Sequence, residues 1–237
     1  MLLELLELKT CGARGVKLEF ESEFYTDKSA FELSELVHRV DLDLCVKLGG
    51  ASSITDIHKC KLFCANSIVA PMIESAYAVE KFLLSIKQVY GKAYPDLYLN
   101  IETKTAFDNL DEIVEKASKI KGFVLGRSDL KNSLGIDNAN DDRIFEFCKK
   151  IDEISHKTGK NFILGGKINT NSLDFINKLE YLTQVETRKV IFDKDKLNGE
   201  NIVKALKFEL KCLSAKELKN KEDKDRIEFI KTSLLEK

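Results

Sequence analysis

LYLNIETKTAFDNLDEIVEKASKIKGFVLGRSDLKNSLG, residues 97–135, is the stretch on which the fold turns. It holds two short apolar runs, 97–101 and 122–125, and each leads into an acidic residue, Glu102 and Asp129. Between them Ile113, Ala117 and Ile120 recur at helical spacing, so the segment reads as strand, helix, strand. In a parallel barrel the active site collects at the carboxyl ends of the strands, where two carboxylates ending neighbouring strands would converge. Hard oxygen ligands of this kind suit Mg2+ or Mn2+, which keep waters and complete their shell from substrate.

Outward from this segment the same rhythm continues. Strands are expected near 15–20, 42–48, 67–73, 97–101, 122–125, 162–164 and 189–192, with longer amphipathic stretches between them. Seven strands leave a barrel one short. Either it is open, or another segment closes it, and YLTQVETRKVIF is long enough to hold two short strands. No Gly/Ser-rich linker divides the chain, so residues 1–212 are expected to form one (β/α) barrel domain. Residues 213–237 differ in character, with a dense mixed-charge run followed by Ile227, Ile230, Leu234 and Leu235 at helical spacing. They are expected to form a charged amphipathic C-terminal helix or arm.

The 97–135 segment resembles the HpcH/HpaI aldolase/citrate lyase family. The family's ET motif stands at Glu102 and Thr103, its G-x-x-D-L and S-L-G motifs at GRSDL and SLG within 126–135, and its V-P-M segment at VAPMIESAYAVEKF, 69–82. The resemblance implies an α/β fold, a TIM-type (β/α) barrel with a C-terminal helical extension, in which the missing strand is the first. It implies a metal pair, Glu102 and Asp129. It also implies that backbone amides at Gly126, Arg127 and Ser128 hold the carboxylate of a pyruvate-like 2-oxo acid. A homo-oligomer is expected, with the C-terminal helices packed on a neighbouring subunit as a further reading. Two departures stand out. Where class II pyruvate aldolases of the family carry an arginine before V-P-M, this chain has Lys47, a point charge without the guanidinium fork. The family's strand-end histidine is absent from GVKLEFESE, which supplies Glu19, Glu21 and Glu23 instead; His38, His58 and His156 fall in expected helices.

Composition narrows the partners. With 237 residues, 43% hydrophobic and 32% charged, the chain can bury a large core. A formal net charge of -1 gives no electrostatic case for nucleic acid or an anionic membrane. The apolar N-terminus carries Glu4 and Glu7 and is too short to span a bilayer, so a packed helix is expected there. Six cysteines without disulfide spacing fit a reduced, cytoplasmic protein. Cys60 and Cys64, four apart in a helical run beside His58, read as core thiols and not as a metal site, because no second pair accompanies them.

The expected strand ends gather Lys17, Glu19, Glu21, Lys47, Glu74, Arg127, Lys167, Glu186 and Arg188 around the metal pair. A rim of Lys/Glu pairs would explain them as structure alone. With the metal pair present, the preferred reading is a divalent-metal-dependent carbon-carbon lyase or aldolase acting on a pyruvate-like 2-oxo acid. Lys47 would then face the enolate charge, Glu19 or Glu21 would move the proton, and Lys167, beside Gly165 and Gly166, would bind substrate. A Schiff base at Lys47 or Lys167 would require a depressed pKa. The alternatives are a citryl- or malyl-CoA-type lyase, for which no basic cluster is evident, and an inactive barrel serving as a binding or assembly subunit.

Overall fold

The computed structural model describes residues 1–23, 25–216 and 219–235. Glu217, Leu218, Glu236 and Lys237 of the expected C-terminal segment lie outside the described residues. The first half of the chain runs α1 (Leu2–Thr10), β1 (Ala13–Glu19), α2 (Asp27–Arg39), β2 (Asp43–Lys47), α3 (Ile54–Leu62), β3 (Ser67–Ala70), α4 (Ala76–Tyr90), β4 (Asp96–Asn100), α5 (Lys104–Asp108) and α6 (Leu110–Lys116). It continues with β5 (Gly122–Gly126), α7 (Arg127–Ser133), α8 (Asp142–Thr158), β6 (Asn161–Gly165), α9 (Leu173–Asn177), β7 (Gln184–Glu186), β8 (Val190–Asp193), α10 (Gly199–Ser214) and α11 (Lys221–Leu235).

The barrel is closed, in the order β1 to β8. Strands β1 to β7 are parallel neighbours, whereas β8 runs antiparallel to both β7 and β1. The segment around residues 181–192 therefore holds two strands, and the return strand of this hairpin fills the gap left by the absent first strand. Its turn is secured by a side chain: the Thr187 N–H donates to Val190 O at 2.9 Å, and Thr187 Oγ1 accepts from the Val190 amide at 3.0 Å. In place of a first strand the chain opens with α1, whose Leu5 and Leu8 are buried.

Alternation with period two sorts the side chains of each strand. One set faces outward into the layer shared with the helices, including Leu18, Leu44, Val46, Ile68, Leu99, Phe123, Leu125, Phe162 and Leu164. The other set fills the barrel interior, where Cys45, Val69, Tyr98, Val124, Ile163 and Ile191 form an apolar plug. Two residues further along, the same inward positions carry Lys47, Asn100, Gly126 and Gly165, and the apolar plug gives way to a polar mouth. All six cysteines are free thiols. Among the described residues no helix is long and apolar enough to cross a membrane.

Candidate active site at the carboxyl ends of the strands

The mouth encloses a cavity of about 590 Å3, lined among others by Lys17, Glu19, Glu21, Lys47, Asn100, Glu102, Gly126, Ser128, Asp129, Lys167 and Glu186. Of the polar groups expected around the metal pair, all except Arg127 and Glu74 line this one space. Glu102 lies two residues past β4, on the inward face shared with Asn100, and is 1% exposed. Its carboxylate is aimed by two donors: Asn100 Nδ2 to Oε2 at 2.7 Å, and the Met72 N–H to Oε1 at 3.2 Å. Met72 takes a left-handed φ of 49° beyond β3. Burial pushes the Glu102 pKa up to about 7; Lys47 opposes this, and the negative charges of Asp129 and Glu21 add to it. Thr103 caps α5 through the Ala106 amide at 3.1 Å and donates to Glu74 at 2.7 Å, so Glu74 serves to tie the loops together.

Lys47, 6% exposed, lies 2.5 Å from Glu21 Oε2 and 3.6 Å from Glu102 Oε1. Burial alone would lower its pKa, but Glu102, Glu19 and Glu21 outweigh that and raise it. The depressed amine that a Schiff base would need is therefore not found at Lys47. Glu19 accepts from Ser22 at 2.6 Å. Burial works to raise its pKa, yet Lys47, Lys17 and Arg188 together hold it down to about 2. So low a value makes Glu19 a weak proton acceptor, better suited to keeping Lys47 charged.

The Arg127 side chain does not reach the cavity. It is fully buried and turned away, and it donates to Asn140 Oδ1 at 2.6 Å, Gly166 O at 2.8 Å and Gly165 O at 3.2 Å. It also stacks 4.9 Å from the Phe175 ring centroid. The guanidinium thus braces the loop after β6 and offers nothing to a ligand. Its backbone remains at the site: a Cβ at Gly166 would lie 2.6 Å from both the Arg127 and Ser128 nitrogens, so only glycine permits this approach. Lys167, exposed at a φ of 51°, places Nζ 5.9 Å from the Phe229 ring centroid.

Three parts of the site were not foreseen. Asn100 orients Glu102, and its place two residues upstream on a strand was the available signal. A buried cluster joins the hairpin turn to the loop after β1: Lys189 pairs with Glu23, while Arg188 reaches Glu23 at 3.2 Å and Glu222 at 2.9 Å. Finally, α11 forms one cavity wall through Glu222, Asp225, Arg226 and Phe229.

Among the described residues no group of three or more His, Cys, Asp or Glu side chains gathers as a metal cage. The donor set fits a different kind of site. One buried, oriented carboxylate, Glu102, and one solvent-facing carboxylate, Asp129, line the same cavity, close enough for the Asp129 charge to bear on Glu102. Two carboxylates with the remaining positions open to water and substrate are what Mg2+ takes.

Solved structures of similar fold include a citrate synthase, SbnG, at 18% identity and TM-score 0.63, covering 90% of this chain and 89% of that one. An HpcH/HpaI aldolase from Desulfitobacterium hafniense DCB-2 follows at 12% identity and TM-score 0.66, covering 78% and 81%. A family protein from Burkholderia cenocepacia J2315 matches at 11% identity and TM-score 0.62, covering 79% and 83%. At these identities the likeness establishes the fold alone. No curated protein matches the sequence. The HpcH/HpaI aldolase/citrate lyase model matches residues 35–165, more than half of the chain and the span that carries Lys47, Glu102 and Asp129. The chain belongs to the HpcH/HpaI aldolase/citrate lyase family.

Proposed function

We propose that the protein is a divalent-metal-dependent carbon-carbon lyase of the aldolase type, acting on a pyruvate-like 2-oxo acid. The observation that carries this reading is the buried Glu102, oriented by Asn100 and Met72, with Asp129 beside it and Lys47 3.6 Å from its Oε1. Glu102 and Asp129 would hold Mg2+ or Mn2+, which when bound supplies Lewis acidity to the oxygens of the oxo acid. The backbone amides of Arg127 and Ser128, at the start of α7 beside Gly166, would take the substrate carboxylate as a small anion nest. Lys47, kept charged by Glu19 and Glu21, stabilises the negative charge that develops on the carbonyl oxygen as the carbon-carbon bond breaks. The apolar plug beneath the site closes its floor to solvent, so these charges act at low dielectric.

The test is release of pyruvate from short 4-hydroxy-2-oxo acids, followed by a coupled NADH assay with Mn2+ present. Turnover is expected with metal, loss of activity with a chelator, and at least a hundredfold loss in Asp129→Asn. Absence of any metal-dependent pyruvate release across the panel would contradict the reading.

A further inference from the structure

The cavity floor lacks side chains on one side. Gly126 and Gly165 are register partners on β5 and β6. From one side Glu102 leans over Gly126, where a Cβ would sit 2.5 Å from its Oε2; from the other, Glu186 at the end of β7 leans over Gly165, where a Cβ would sit 2.8 Å from its Oε1. Neighbouring strands lie about 4.8 Å apart, so these two carboxylate oxygens are at most about 10 Å apart across a gap without side chains. Glu186 is 4% exposed. Lys17 bonds its Oε1, while its Oε2 is buried with no hydrogen-bond partner. Asn100 Oδ1, on the same floor, is likewise buried and unpartnered. Glu186 itself is part of the cavity lining, opposite Glu102 across the glycine pair.

Of the other carboxylates of the mouth, Glu102 and Asp129 are assigned to the cation, Glu19 is held at a low pKa, and Asp225 is exposed on α11. Glu21 is bound to Lys47, Glu222 to Arg188, and Glu23 is buried with Lys189 away from the cavity lining. The three histidines lie on α2, α3 and α8, outside the barrel mouth.

We propose that Glu186 is the proton acceptor and donor at C3 of the bound 2-oxo acid, with Lys17 as the positioning residue that holds it in place. The inference rests on the enolate reading above. In the forward sense the C3–H bond breaks, the proton passes to the Glu186 carboxylate, and the C–H electron pair becomes the C2=C3 double bond. The negative charge moves to the C2 oxygen on the side of Lys47. Reversal of the same step returns the proton to C3.

The experiment measures exchange of the pyruvate methyl protons in D2O by proton NMR with Mg2+ present, alongside calorimetric titration with oxalate. Variants are Glu186→Gln and the double variant Lys17→Met/Glu186→Gln, which avoids leaving a buried ammonium unpaired. Both are expected to lose at least a hundredfold in exchange rate while oxalate affinity changes less than threefold. Wild-type exchange in a folded variant that binds oxalate overturns the role of Glu186 and leaves the enolate reading intact. Failure of the wild-type protein to bind oxalate or to exchange overturns the proposal together with that reading. If neither neutral variant folds, Glu186→Asp decides: withdrawing the carboxylate by one methylene should slow exchange at least tenfold, and an unchanged rate would refute the assignment.

Discussion

A methyl group at Gly126 would lie 2.5 Å from Glu102 Oε2, yet the backbone there has a φ of -86° that any residue can adopt. Gly126→Ala should therefore leave the fold in place and push the Glu102 carboxylate off the position set by Asn100 and Met72. Metal-dependent oxalate binding is expected to weaken at least tenfold in calorimetry while the urea midpoint changes little; unchanged affinity would show that the carboxylate position is not critical. At this scale the sequence was informative where chemistry follows strand alternation. Glu102 and Lys47 follow directly from inward-facing runs, and Asp129 lies in the first turn of α7, immediately after one. The direction of the Arg127 side chain could not be read, because it depends on the loop after β6, whose carbonyls claim the guanidinium. Glu186 was visible as a strand-end acid but could not be singled out, since its own strand was unassigned.

The elements that escaped prediction have identifiable physical reasons. Strand β7 is three residues long, and the turn after it carries none of the Asn-Gly or Gly signals of a tight hairpin. Thr187 makes that turn with its own hydroxyl, and Arg188 and Lys189 are held by Glu23 across the barrel mouth. Helix α11 was legible as an amphipathic segment, but its charge run concealed which charges face inward. Its Arg226 makes a two-point bond, 2.6 and 2.8 Å, to Glu209 of α10, which is fully buried. Asp223, also fully buried, pairs with Lys216 at 2.9 Å. Removing one partner leaves a buried charge uncompensated, so Arg226→Ala should cost about 3–5 kcal/mol in urea unfolding. The neutral double variant Arg226→Met/Glu209→Leu should recover most of that loss. A loss below about 1 kcal/mol in the single variant would mean that the helix is not fastened to α10 by this pair.

At the scale of the whole molecule, the barrel solves a closure problem and creates a site in doing so. A chain that begins with a helix supplies seven parallel strands and bends its last hairpin back to complete the ring. The same hairpin carries Glu186 to the cavity, and α11 walls the cavity on the side of Lys167 and Arg188. The repeated strand-helix pattern made the barrel readable from the sequence, since each strand end is a local event. Closure was not readable, because it depends on a contact between residues about 170 positions apart, Val16 and Val190 among them. In the proposed function Glu102 and Asp129 act together on a hard cation and a 2-oxo acid. That joint action is tested most directly by calorimetric titration with oxalate, an enolate mimic, with and without Mg2+ or Mn2+, on the wild-type protein and on Glu102→Ala and Asp129→Ala. Binding that requires metal and is lost in both variants is the expected result. Absence of oxalate binding under every metal condition would contradict it and leave a barrel retained for assembly or for an unrelated ligand.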